Sequence, residues 1–360
     1  MKVPRLSLVA SLIASIAASP LEAQNTATTD PVGFVTVGIT AGTGTAKRNT
    51  LFSLPLLETE SITGQVAGTI TGVTANTISN SSAAWTPGAL SEPTAPYLIQ
   101  ITSGAAKGRL FLISSSAGTG GANAGTANTA DTVTVSPVDA AQVDLTTLGI
   151  NLGEDSYKIY ACDTLSSFFG PASGVLGGSG ASNADTVILV VNGSASTYFY
   201  NTSVSPARWS KVAFGSPSAD NVPLLPYYGI QYSRLADTPL SFVVTGGVPT
   251  TDRQVEVKNS GVTLLAQYWP ANSTLDSLGL QSIAGWLAGA NANAADTVVL
   301  TSGGSANTYF YDGTNWRRVS FGSPVSNDVS IDVGTTVLIN RKGTASGFGT
   351  LAQIPPYELN

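Results

Sequence analysis

The sequence predicts an all-β protein, built of tandem β-sandwich-like or barrel-like domains with an internal duplication and short helical turns. Three observations point there. A strand-forming stretch occurs twice: Ala184-Asp185-Thr186-Val187-Ile188-Leu189 returns as Ala295-Asp296-Thr297-Val298-Val299-Leu300. The apolar segments are short, rich in Val, Ile, Thr and aromatic residues, and punctuated by Gly, Pro and Asn. Charged residues make up only 11% of the chain, against about 25% in ordinary soluble domains, which suits a neutral β-surface.

The first residues read as an export leader, expected over 1–23. Lys2 and Arg5 precede an apolar run from Leu6 to Ala18, and Leu21-Glu22-Ala23 offers a small-residue cleavage site. The run is too short for a stable membrane span. The net charge of −6 provides no basic field for nucleic acid or anionic lipid. An exported chain, extracellular or at the cell surface, is therefore expected, with no membrane span after cleavage.

An N-terminal β-rich domain is expected over 24–156. Pro31 to Ile39 alternates as a first strand. Leu51 to Leu56 is apolar but interrupted by Pro55, so an edge strand or turn is expected. Val66, Ile70, Val73 and Ile78 stand among Gly and Thr as two short strands. Tyr97 to Ile101 and Arg109 to Ile113 form a strong pair, joined by a Gly-bounded loop. Ser114 to Ala130 is a Gly/Ala/Thr/Asn tract expected to be exposed and mobile. Ala130-Asp131-Thr132-Val133 repeats the Ala-Asp-Thr-Val opening too briefly to count as a third copy.

The first repeat unit is expected over 157–251 and the second over 252–360. Tyr198-Phe199-Tyr200 and Tyr309-Phe310-Tyr311 lie 111 residues apart, whereas Trp209 and Trp316 lie 107 apart. The difference falls between Tyr200 and Trp209, where a hairpin loop absorbs length that paired strands cannot. Arg234 and Arg341 keep the 107-residue offset. Asp163 to Phe168 and Ser273 to Leu278 each read as a capped helical turn. Arg253 to Lys258 alternates as a strand, with Asn259-Ser260-Gly261 as a hairpin turn before Val262 to Leu265.

Together, Asp30-Pro31-Val32-Gly33-Phe34-Val35, Pro96-Tyr97-Leu98-Ile99 with Ser103-Gly104, Cys162-Asp163-Thr164-Leu165 and the two Tyr-Phe-Tyr…Trp hairpins resemble an uncharacterised family of secreted proteins from Verrucomicrobia-type bacteria. The resemblance spans nearly the whole mature chain. It implies export and a β-rich fold, and it brings no activity and no site residues.

The chain has no histidine and one cysteine. Ser-His-Asp and Cys-His catalysis are excluded, as are His-ligated metals and Cys-ligated zinc. No intramolecular disulfide can form, and Cys162 is expected as a small buried hydrophobe. Asp185 and Asp296 are the best-placed carboxylates for a two-acid hydrolase, but aspartates before strands more often bond nearby backbone. Glu154-Asp155 and Asp312 to Asn315 lack the acidic ladder of a calcium loop, and no cofactor or metal is expected. The repeated aromatics Tyr198, Tyr200, Trp209, Tyr309, Tyr311 and Trp316 are candidate sugar-stacking residues, weighed against cross-strand pairs that stabilise a hairpin. The leading expectation is a secreted, non-enzymatic structural or cell-surface protein, with self-association or an extracellular glycan as partner. The alternative is a pair of carbohydrate-binding modules using those aromatics.

Overall fold

The alternating and branched segments form strands throughout, and the fold is all-β. The structure is a computed structural model describing residues 31–58, 62, 64–115, 125–170, 174–302 and 305–357. The expected leader lies outside the described residues, as does most of the Gly/Ala/Thr/Asn tract. The chain opens with β1 (Val32–Ile39) and β2 (Arg48–Phe52). It then enters a lobe made of β3 (Ala67–Thr69), β4 (Gly72–Val73), β5 (Thr77–Ser79), β6 (Tyr97–Ile101), β7 (Leu110–Leu112), β8 (Thr132–Thr134), the helical turn α1 (Pro137–Ala140) and β9 (Ser156–Ala161). Next come α2 (Leu165–Phe169), β10 (Thr186–Val191), β11 (Ser194–Asn201), β12 (Arg208–Lys211), β13 (Ile230–Arg234) and β14 (Leu240–Gly247). The remainder holds β15 (Arg253–Lys258), β16 (Ser260–Ala266), β17 (Ser273–Thr274), β18 (Thr297–Ser302), β19 (Ser305–Tyr311), β20 (Trp316–Arg318), β21 (Ser330–Ile331), β22 (Thr336–Lys342) and β23 (Phe348–Gln353).

Two sheets repeat one plan. The first has the order β12-β11-β10-β13-β2, and the second β20-β19-β18-β22-β16. Each is accompanied by a two-stranded ribbon, β1-β14 or β15-β23. Register matches as well. Val187 faces Tyr198 as Val298 faces Tyr309, and Tyr200 faces Trp209 as Tyr311 faces Trp316. The first ribbon packs on its sheet through Val37, Ile39, Phe242 and Val244, with Leu165 and Phe169 of α2 in the same core.

Strand pairing crosses the boundary expected at 156. β1 pairs with β14 and β2 with β13, so the opening strands complete the ribbon and the sheet of the following repeat. The lobe is inserted between β2 and α2. Its entry and exit meet, since Glu58 bridges Ala161 antiparallel. Its own core centres on Ile70, Ile99, Phe111, Val133 and Tyr157.

The two halves meet reciprocally. Phe52 bridges Thr335, and Tyr228 bridges Leu265. Phe52 and Leu265 hold equivalent places in their halves, as do Tyr228 and Thr335, so each half offers the other the same surface. That reciprocity is the mark of an approximate twofold axis. Close to it Gly229 faces its counterpart Thr336, where a Cβ on Gly229 would stand 2.1 Å from the Thr336 Cγ2.

Local expectations divide. Ser167 N–H donates to Thr164 Oγ1 and Thr164 N–H to Ser167 Oγ, a capping box. Thr274 and Ser277 repeat it. The caps are the threonines, one residue beyond Asp163 and Ser273. The hairpin expected at Asn259 does not form. β15 pairs with β23 and β16 with β22, so the chain changes sheets there. The segment from Gln65 to Ser79 holds three short strands where two are expected. In the Gly/Ala/Thr/Asn tract, Asn128 is buried, accepting from Leu90 N–H and donating to Thr86 O. Asp131 is exposed, unlike Asp185 and Asp296.

Candidate functional site

The six aromatic candidates point largely into the protein. Trp209 and Trp316 are 1% and 0% exposed, and Tyr198 and Tyr309 are buried. Tyr200 and Tyr311 are half-buried, each meeting its Trp edge-on or tilted at 6.0 and 5.6 Å between ring centres. Phe199 and Phe310, on the opposite strand face, are also buried. Register explains this: Tyr and Trp sit directly across the strand pair on the core side. Neither Trp offers a face to a sugar, so these residues form two interior cross-strand clusters and no binding platform. The Trp316 Nε1–H donates to Gln281 Oε1 at 3.3 Å.

The repeated aspartates are equally internal. Asp185 Oδ2 accepts from Leu176 N–H at 2.9 Å, from the Tyr232 hydroxyl at 2.8 Å and from Arg234 Nη1 at 2.5 Å. Its Oδ1 accepts from Leu235 N–H at 2.7 Å. Asp296 accepts likewise from Leu287 N–H and Lys342 N–H and pairs ionically with Arg341, whose Nε lies 2.7 Å away, without a tyrosine hydroxyl in the set. Both carboxylates are fully enclosed. Each ties its own segment to two others, and their oxygens are occupied by donors. The sequence signal was the shared offset of Arg234 and Arg341; the pairing needed the fold. Asp312, by contrast, sits in its own turn, accepting from Thr314 and Asn315 N–H. Those bonds and Arg317 hold its carboxyl down to about 2.

A buried acidic site that sequence reasoning missed lies where the lobe meets the twofold seam. Asp139 accepts from Leu112 N–H at 2.7 Å and from the Tyr227 hydroxyl at 2.9 Å. Burial pushes its carboxyl up to about 7, against the lowering effect of those donors. It shares a cavity of about 20 Å³ with Arg109 and Glu256, room for about one water molecule. Arg109 pairs with Glu256 and donates to Gln254 Oε1 and Thr350 Oγ1. Lys107 adds an ion pair to Asp252 at 3.3 Å. This ionic seam fixes the lobe to the outer face of the β15-β23 ribbon. Cys162 is buried, and burial raises its thiol, so it is no ready nucleophile.

Two features face outward. A cleft of about 470 Å³ is lined by Asp252, Gln254, Trp269, Ser273, Ser277 and Gln353 among others. Arg253 also lines it, and burial pulls its guanidinium down to about 10, leaving it charged at neutral pH. The second feature is a pair of turns following β12 and β20. Phe214 and Phe321 occupy matching places there and are 106% and 105% exposed. Among the described residues, no group of three or more acidic or cysteine side chains is placed to hold a metal ion, and no helix is long and apolar enough to cross a membrane. No protein-family model, curated protein or solved structure matches the chain.

Proposed function

We propose that the protein is an exported, non-enzymatic structural or cell-surface protein, a duplicated and fused unit that associates with copies of itself. The observation that carries this reading is the bare outer face of the β1-β14 ribbon. On the second ribbon, the lobe covers Asp252, Gln254, Glu256 and Thr350 with Lys107 and Arg109. The corresponding positions on the first ribbon are Val32, Phe34, Thr36 and Val243. Val32 and Phe34 are 76% and 74% exposed. One ribbon face is covered and polar, and its counterpart is uncovered and apolar. Among the described residues there is a single lobe, so a second copy is the natural cover, ribbon against ribbon about a twofold axis. The structural role is supported by the repeated Asp-Arg pairs and Tyr-Trp clusters, whose repeated chemistry is spent on the interior. Export rests on the basic-then-apolar leader and the low charge. Sedimentation velocity over a concentration series tests association. Wild type should show a monomer-dimer equilibrium that Phe34→Ser abolishes without altering folding. A wild-type chain that stays monomeric at high concentration, and is missing from the surface of the producing cells, sinks the reading.

One observation favours a second reading, glycan binding away from the hairpins. The cleft lined by Asp252, Gln254 and Gln353 has planar hydrogen-bonding groups, and its volume falls in the range of ligand sites. Titration with soluble oligosaccharides, followed by tryptophan fluorescence, tests it. Binding should weaken in Gln353→Ala, and silence across a broad glycan panel removes the idea.

A further inference from the structure

We propose that the turns carrying Phe214 and Phe321 are a pair of prongs that seat the protein on a phospholipid bilayer. The inference rests on the cell-surface reading above and names how the chain is held there.

The two turns are built alike. Lys211-Val212-Ala213-Phe214-Gly215-Ser216-Pro217 corresponds to Arg318-Val319-Ser320-Phe321-Gly322-Ser323-Pro324. In each, the backbone closes by Lys211 N–H to Pro217 O or Arg318 N–H to Pro324 O. Gly215 and Gly322 take φ of 75° and 79°, and Ser216 and Ser323 take 43° and 40°. That left-handed pair turns the chain sharply and leaves the preceding Phe at the apex. Val212 and Val319 are each 47% exposed beneath it. A fully exposed Phe is costly in water, and here the same cost is borne twice at matching positions.

The geometry favours a bilayer over a second protein. A stable protein interface needs about 800 Å² from each partner. Each tip offers one Phe and one Val, joined in the second by the half-exposed Val325, flanked by Ala or Ser, Gly and Pro, and falls well short of that area. Positions related by a twofold axis stand at the same height along it. Phe214 and Phe321 therefore stand at one height along it, one on each half. Each prong has a cation where its strand ends, Lys211 or Arg318. Aromatic side chains dipping below headgroup level with Lys or Arg beside the phosphates is the usual chemistry of an interfacial anchor. The acidic chain as a whole opposes long-range attraction to an anionic surface, so binding depends on the apolar tips.

The test is co-sedimentation of the exported chain with vesicles of phosphatidylcholine, and with vesicles of an equal mixture with phosphatidylglycerol. Wild type should bind both. Phe214→Ser and Phe321→Ser should each lose roughly tenfold or more, and the double variant should lose measurable binding with unchanged circular dichroism. Phe34→Ser should bind vesicles as wild type does, which separates the prongs from the self-association face. Phe214→Trp should shift its emission to the blue on vesicles and be quenched by brominated lipid. Absence of wild-type binding to either vesicle overturns the proposal, as does full binding by the double variant. Loss of lipid-free self-association in the double variant also overturns it, by making the tips a protein contact. Surface retention on cells without vesicle binding would sink the prongs and leave the structural reading standing.

Discussion

At the scale of single residues, the repeated side chains serve the interior. Asp185 and Asp296 each hold an arginine and two backbone amides in a fully enclosed site. Removing one partner of such a pair leaves a buried charge unmatched, at a cost of about 3–5 kcal/mol. Asp185→Asn and Asp296→Asn should each lower stability by that order in denaturant titration, with the larger loss at Asp185, which also holds the Tyr232 hydroxyl. Asp139 makes a separate prediction. Its folded value of about 7 lies above the ordinary 3.8. Between those values the folded chain keeps a proton that the unfolded chain has released. This group's contribution is therefore most favourable below about pH 4, declines as pH rises towards 7, and is flat above that. The full span is a few kcal/mol on the scale of about 1.4 kcal/mol per pH unit. Asp139→Asn should flatten that slope and raise the melting temperature at pH 8. A steeper slope in the variant would contradict the assignment.

At the scale of elements, each Tyr-Phe-Tyr strand and its Trp strand act as a packing unit. The short-range reading recognised the strands, their hairpin and the loop that absorbs four residues. It could not assign faces, because both faces of β11 and β19 are covered. Trp209→Ala and Trp316→Ala should each cost about 3–5 kcal/mol of stability, as large core truncations do, and show it as a lowered midpoint in urea. Unchanged stability with lost glycan binding would reverse the burial argument. The Asn259 turn teaches the complementary point. Its residues suit a hairpin, but the strands on either side have better partners at β23 and β22, and long-range pairing overrode local turn preference.

At the scale of the whole molecule, two like halves share a reciprocal seam and a lobe inserted into one of them. Near the axis, like side chains would meet themselves, so the fused chain can place glycine on one side and threonine on the other. Gly229→Ala should therefore destabilise by about 1–3 kcal/mol through overpacking. Gly229→Ala combined with Thr336→Gly should recover most of that loss in the same thermal melt. Equal melting of the single and double variants would show that the seam has room to relax.

By itself, the sequence determined the all-β class, the strands of the two Tyr-Phe-Tyr hairpins, the short helical turns ahead of them and the burial of Cys162. These are legible because pleat, cap and turn preferences act over a few residues. Only the tertiary structure decided that residues 32–52 join the first repeat's ribbon and sheet, that Asp185 meets Arg234, that the aromatics face inward, and that Asp139 lies at the lobe seam. Each of those depends on contacts between residues tens to hundreds apart in the chain. Such contacts are selected by how buried surfaces fit and how enclosed charges are matched, and local propensity does not encode that choice.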